Sequence, residues 1–258
     1  MLSQEHKTQI IETIKICLRN KFKNYKPETA NMPFHYSLLG KDRMALYSFI
    51  QSLNTTFGVS IYEPVARELA KYKFKEAHTQ FDLGKFITQD AQNEIQRIMN
   101  DLSIGGDVNK EEETERIRKV AQTGEVNELK SVKVDLFLVS ESDEVFMFDL
   151  KTVKPNKSNF VSFKRTLLEW LAVFFYQFPE ANANTLISIP YNPYEPNSYK
   201  RWTMKGMLDV KDEVFVAEEF WDFLSGDGTY SDLLDCFEQA GIELRLEIDN
   251  YFAKFRLN

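Results

Sequence analysis

SVKVDLFLVSESDEVFMFDLKTVKPNK, residues 131–157, is the stretch whose reading decides the fold. Two short runs of β-branched, aliphatic and aromatic residues flank the polar cluster Ser140-Glu141-Ser142-Asp143-Glu144. That is the pattern of a strand, a tight turn and a second strand. Each run carries one aspartate among apolar neighbours: Asp135 in VKVDLFLV and Asp149 in VFMFDLKTV, with Lys151 two residues further on. Side chains alternate along a strand, so Asp149 and Lys151 share a face and Leu150 points to the other. Charges inside a strand are costly to desolvate unless they are paired or bind a metal. Two carboxylates and an ammonium at neighbouring strand ends suit a hard divalent cation with a water beside it. A strand-end Asp135 paired with Lys133 or Lys151 is the alternative reading of the same residues.

On the C-terminal side, Pro155 stops the second strand, and Ser158 or Asn159 can cap a helix. In that helix Phe160, Phe163, Leu167, Leu171, Phe174 and Phe178 recur every three or four residues as a buried stripe. Lys164 and Arg165 fall off the stripe. TLISIPYN then reads as a central strand because it is almost wholly apolar. YNPYEPNSYKRWTMKG reads as an ordered loop rich in proline, aromatic and basic residues. DEVFVAEEFWDFLSG supplies a strand and a helix. TYSDLLDCFEQAG is a short helix burying Leu233, Leu234 and Phe237, and the C-terminal stretch is either strand or helix.

On the N-terminal side, residues 3–22 form an amphipathic helix with Ile10, Ile14, Cys17 and Leu18 on one face. A helix over about 41–55 turns Leu46, Phe49, Ile50 and Leu53 inward. GVSIYEPVARELAKYKF starts extended and becomes helical at Pro64, which places Glu63 at a helix entrance. Another helix covers about 88–102. Residues 107–130 are highly charged and read as a solvated helix or loop, either a plain surface segment or one facing a ligand.

A chain of 258 residues with 43% hydrophobic and 14% aromatic residues can bury a large core. The apolar run from Trp170 to Tyr176 is far too short to span a bilayer. The N-terminus lacks the features of a signal peptide. Cys17 and Cys236 read as reduced, buried thiols of a cytoplasmic protein, and His6, His35 and His78 have no metal-ligand spacing. The net charge of −7 argues against a general nucleic-acid coat. It leaves room for local basic clusters that contact phosphate. Alternation of helix, hairpin, helix and strand predicts one mixed α/β domain.

The D…D-x-K pattern of Asp135, Asp149 and Lys151 resembles the PD-(D/E)XK nuclease superfamily, with Val134 where the pattern has proline. KTVKPNKSNF, FKRTLLEWL, IPYNPYEP, SYKRWTMKG and EEFWDFLSGDGTYSDLL together resemble type II restriction endonucleases of the TdeIII type, a family associated with cutting at GGNCC. The resemblance covers roughly residues 60–240. It implies a restriction-endonuclease-like α/β fold, a mixed central β-sheet flanked by helices. The whole chain, 1–258, would be one endonuclease domain, with a helical part over about 1–104 and a catalytic core over about 131–240.

Under that resemblance Asp135 and Asp149 would hold Mg2+ together with the backbone carbonyl of Leu150. Lys151 would position the attacking water. Superfamily members that add an upstream glutamate make Glu63 a catalytic candidate, alongside its reading as an acid favoured by a helix dipole. Glu68 and Glu94 are weaker candidates. Lys154, Lys157, Lys164 and Arg165 are expected to line the DNA backbone, and Lys200 and Arg201 to contact DNA from the aromatic loop, where arginine can read guanine. Trp170, Trp202 and Trp221 read as packing anchors. The implied partners are double-stranded DNA and a second copy of the chain, with no membrane association. A repair or recombination nuclease of the same superfamily and a non-catalytic DNA-binding protein are the other readings.

Overall fold

A computed structural model describes residues 1–26, 32–151, 157–199 and 204–255, without the side chains of Thr55, Thr56, Lys157 and Ser158. The expected hairpin is present. Strand β2 (Val126–Val139) runs antiparallel to β3 (Val145–Leu150), with Leu136 opposite Phe148 and Val139 opposite Val145. The turn closes through Ser140 N–H to Glu144 O at 2.9 Å, and Asp143 N–H to Ser140 O at 3.0 Å. Asp143 adopts a φ of 60°, a left-handed conformation that aspartate tolerates better than most residues.

Around the hairpin the described residues form a sheet of five strands in spatial order β1-β2-β3-β4-β5. Strand β1 (Glu76–Thr88) adds antiparallel to β2, while β4 (Ala183–Ile189) and β5 (Val214–Val216) add parallel on the side of β3. The sheet is therefore mixed, as expected. Helices cover both faces because the central strands are apolar on both sides. One core joins Val134, Phe137, Val145, Met147 and Ile187 to α5 (Gln89–Ser103), α6 (Lys110–Val120) and α7 (Lys157–Gln177). The other joins Leu136, Leu138, Phe148, Leu150 and Leu186 to α1 (Gln4–Asn24), α4 (Glu63–Ala70), α8 (Glu218–Ser225) and α9 (Thr229–Glu243). Helices α2 (Pro33–Leu39), α3 (Lys41–Phe57) and α10 (Arg245–Ala253) are the remaining α-helices among the described residues. No described helix is long and apolar enough to cross a membrane.

Several local expectations change. The segment before Glu63 is not extended: residues 58–62 form a π-helical turn that continues from α3, with the Glu63 N–H donating to Gly58 O. Pro64 supplies no N–H, so the ordinary ladder cannot run through it, and the wider turn absorbs the break. Strand β1 lies in a stretch where the periodicity predicted none. The charged segment 107–130 is built into the fold. Its helix α6 is closed by Asn109, whose side chain accepts from Glu112 N–H at 3.0 Å, and it buries Glu113 and Ile117. In α3 the inward residues are Met44, Ala45 and Phe49, whereas Leu46 and Ile50 are exposed, as are Phe178 and Leu234 elsewhere. The C-terminal segment is helical.

The largest correction concerns Lys164. Expected to face DNA, it is instead completely buried, with a relative exposure of 0%. Helix α7 is wedged between the sheet and α5 and α6, so in its middle even the flank of the stripe is interior. The Lys164 ammonium donates to Glu213 Oε1 and Oε2 at 2.7 and 2.9 Å, and pairs also with Glu113. Glu213 in turn accepts the Asp209 N–H at 2.7 Å. Removing one partner of such a group leaves uncompensated buried charge. Lys164→Ala is therefore expected to cost about 3–5 kcal/mol of stability, read by urea unfolding without DNA. A variant as stable as the parent, with weakened and less salt-dependent DNA binding, would return Lys164 to the surface role.

Candidate active site

The register of three strands sets the site. Leu136 opposite Phe148 places the next pair, Asp135 and Asp149, across from each other at the end of β3. Thr79 opposite Leu136 and Phe81 opposite Val134 place Gln80 across from Asp135 on the other side. Gln80, Asp135 and Asp149 thus form a row across the sheet. In parallel sheets the open crevice lies beyond the carboxyl ends of the strands, and here β3 and β4 end beside a cleft of about 850 Å³. Glu63, Asp135, Leu150, Lys151, Pro190 and Tyr191 line it, with Gln51, Asn54 and Tyr62 from the helical layer. Trp221 fixes one wall by donating its indole N–H to Pro190 O at 2.7 Å.

Asp135 is held at both oxygens. Oδ2 accepts the Leu150 N–H at 2.9 Å, and Oδ1 accepts the Gln80 amide at 3.2 Å. Asp149 is 3% exposed. Its Oδ1 lies 2.5 Å from Lys151 Nζ, while its Oδ2 is buried and accepts no hydrogen bond. Lys151 Nζ also sits 4.9 Å from the centre of the Phe163 ring on α7. Burial, with Asp135 adding to it, pushes the Asp149 carboxyl up to about 7 against the opposing pull of Lys151. Glu63, only 2% exposed, is also pushed up to about 7 by burial, with Asp135 and Asp149 adding and the Gln80 hydrogen bond opposing.

The structure brings together Asp135, Asp149, Lys151, Leu150 and Glu63 from the sequence-derived set. Arg165 lies elsewhere, donating to Gln96 Oε1 at 2.8 Å. Glu94 pairs with Arg97 and Arg116, and Glu68 with Lys71. Lys154, Lys200, Arg201 and Trp202 lie outside the described residues, as does the Lys157 side chain. Sequence reading missed Gln80, because a neutral amide in a polar stretch carries no charge signal. Among the described residues, no group of three or more His, Cys, Asp or Glu forms a metal cage by itself. A magnesium site needs less, since one or two carboxylates, waters and substrate phosphate complete its shell. The orphaned Asp149 Oδ2 beside Asp135 fits that donor set.

The raised carboxyls have a consequence for stability. Below about pH 4 both folded and unfolded chains hold the Asp149 proton, so it contributes nothing. Between there and about 7 the folded protein keeps a proton that the unfolded chain has lost, so stability falls as pH rises. Above about 7 the loss is constant. Asp149→Asn, measured without divalent metal, should therefore gain melting temperature relative to the parent between pH 5.5 and pH 8. A difference that stays flat over that range would contradict the elevated carboxyl.

Relatives of this chain are type II restriction enzymes. A family model described as "Type II restriction endonuclease, HinfI" matches residues 2–241. The type II restriction enzyme MjaII of Methanocaldococcus jannaschii is 30% identical over 259 residues, which cover 87% of this chain and 67% of that enzyme. The type II restriction enzyme HgiCII of Herpetosiphon aurantiacus is 27% identical over 221 residues, covering 84% of this chain and 80% of the relative. HgiEI from the same organism is 25% identical over 221 residues. The family match takes in the helical layer as well as the hairpin, and on that breadth the chain belongs to the HinfI family of type II restriction endonucleases, enzymes that cut DNA site-specifically.

Proposed function

We propose that this restriction endonuclease cleaves both strands of a GGNCC-like palindrome in a magnesium-dependent reaction, acting as a homodimer in the cytoplasm. The observation that carries the catalytic part is the Asp149 oxygen left without a donor beside Asp135 and Lys151. Asp135 and Asp149, with the Leu150 carbonyl, would hold the cation, and Glu63 stands behind them as a supporting acid. A bound divalent cation supplies charge neutralisation at the phosphate and acidifies a water.

The protein's own groups do the remaining work. Lys151, tethered by Asp149, orients the attacking water and offsets charge on the scissile phosphate. Leu150 N–H and the Gln80 amide keep Asp135 turned into the cleft. Lys154, Lys157 and Arg165 are proposed to follow the DNA backbone after β3, and Lys200 and Arg201 to approach the duplex from the aromatic loop. The GGNCC preference rests on the TdeIII-type sequence resemblance. The homodimer rests on the match between two-fold protein and palindromic DNA.

Asp149→Ala and Lys151→Ala are each expected to reduce plasmid cleavage by several orders of magnitude with folding intact, because both groups act on the transition state. Parent-like rates in either purified variant would remove the assignment. Calcium carries the charge needed for DNA to dock, but its looser shell positions water poorly. Calcium should therefore support site-selective binding without cutting, and added magnesium or manganese should start cleavage. Changing an outer G·C pair of GGNCC should cost about 1–3 kcal/mol of binding. Equal affinity across a duplex panel, with discrete cleavage elsewhere, would replace the proposed sequence.

A further inference from the structure

Gln80 stands in an unusual place. It is the only residue between the paired positions Thr79 and Phe81 of β1, yet its φ is +51°, outside the strand region. Non-glycine residues seldom adopt that conformation without a reason supplied by their surroundings. Here the kink sends the side chain to the acidic site. A single amide nitrogen, Nε2, lies 3.1 and 3.0 Å from the two oxygens of Glu63 and 3.2 Å from Asp135 Oδ1. Glu63 is almost fully buried, while Gln80 is exposed, so Gln80 contributes nothing to the apolar core.

Both Glu63 oxygens are turned toward the amide, so the carboxylate reaches Asp135 through Gln80. Carboxylates that bind a metal are commonly oriented by such outer hydrogen bonds, and losing one typically costs 10–100-fold in metal affinity or activity. We propose that Gln80 is a positioning residue for the divalent-cation site, transmitting the orientation of buried Glu63 to Asp135. Glu63 then acts behind the cation ligands, and its charge draws the amide hydrogens while the amide holds Asp135 Oδ1 in the cleft. The proposal rests on the cation-dependent reading of Asp135 and Asp149 and goes beyond it in giving Glu63 and Gln80 a joint, indirect part.

Two substitutions separate the amide from the backbone. Gln80→Met keeps the length of the side chain and loses the donor. Gln80→Gly loses the side chain and accepts a positive φ without strain. The measurement is calorimetric titration of calcium into the metal-free protein without DNA, on the parent, both Gln80 variants and Asp149→Ala, with melting temperature as the folding check. Both Gln80 variants are expected to fold and to melt below the parent, because buried Glu63 loses its donor, with Gln80→Gly recovering part of that loss through its relaxed backbone. Each should bind calcium about 10–100-fold more weakly. In cleavage assays they should need correspondingly more magnesium for half-maximal rate, and should recover most of the parent rate at saturating magnesium. Asp149→Ala should lose calcium binding altogether.

Folded Gln80 variants with calcium affinity within about twofold of the parent, against a defective Asp149→Ala, would overturn the role of Gln80 alone. Parent-like calcium binding by Asp149→Ala would overturn the underlying cation site. A loss of maximal rate in the Gln80 variants with unchanged magnesium dependence would also overturn the positioning role, because it would place Gln80 in the chemical step.

Discussion

Two carboxylates set opposite each other at the end of an apolar hairpin repel, and burial gives one of them, Asp149, little water. The rest of the site is arranged around that repulsion. Lys151 returns one positive charge to Asp149, and the Leu150 N–H and the Gln80 amide satisfy the two oxygens of Asp135. One buried oxygen, Asp149 Oδ2, has no donor beside it, and the Asp149 carboxyl lies against that of Asp135. A fully satisfied buried network would be an inert structural feature. An incomplete one has affinity for whatever supplies the missing positive charge.

Rigidity at the strand ends comes from the packing behind them. The even-numbered residues Phe148 and Leu150 of β3 face the core built with α4, α8 and α9, and the odd-numbered Val145 and Met147 face the core built with α7. Asp149 follows the odd series, so its carboxylate emerges where the α7 core ends and Lys151 meets Phe163. A one-residue slip would exchange the two faces and bury the aspartates' neighbours in the wrong core. The hairpin register that carries the acids is thus the same register that fills both cores.

This coupling also explains what could be read in advance. The hairpin was legible because two short runs of apolar residues flank a polar turn, and the aspartates stood out as ions among hydrophobic neighbours. The covering helices α1, α5 and α7 were legible from their 3.6-residue periodicity. Strand β1 was not, since most of its residues are only partly covered and the apolar alternation is correspondingly weak. Lys164 was misread because its partners, Glu113 and Glu213, are distant in sequence, and a lysine beside a helical stripe ordinarily meets solvent. Gln80 was invisible for a related reason: its importance lies in a backbone kink and in two acids drawn from different elements.

Stability and the proposed chemistry therefore pull in opposite directions at one point in the sheet. Filling the end of β3 with apolar residues in place of Asp149 would remove the orphaned oxygen, and a glycine at position 80 would relieve the left-handed backbone. Neither change would damage the two cores, which close around residues elsewhere in the strands. Local features that oppose stability without helping packing persist where they serve a site. The ion-paired lysine in the α7 core shows the contrast. Lys164 is surrounded by two carboxylates in a closed cluster, whereas Lys151 shares one carboxylate at the rim of a cleft and keeps part of its surface in solvent. The same residue type is locked into the fold in one place and left accessible to a substrate in the other.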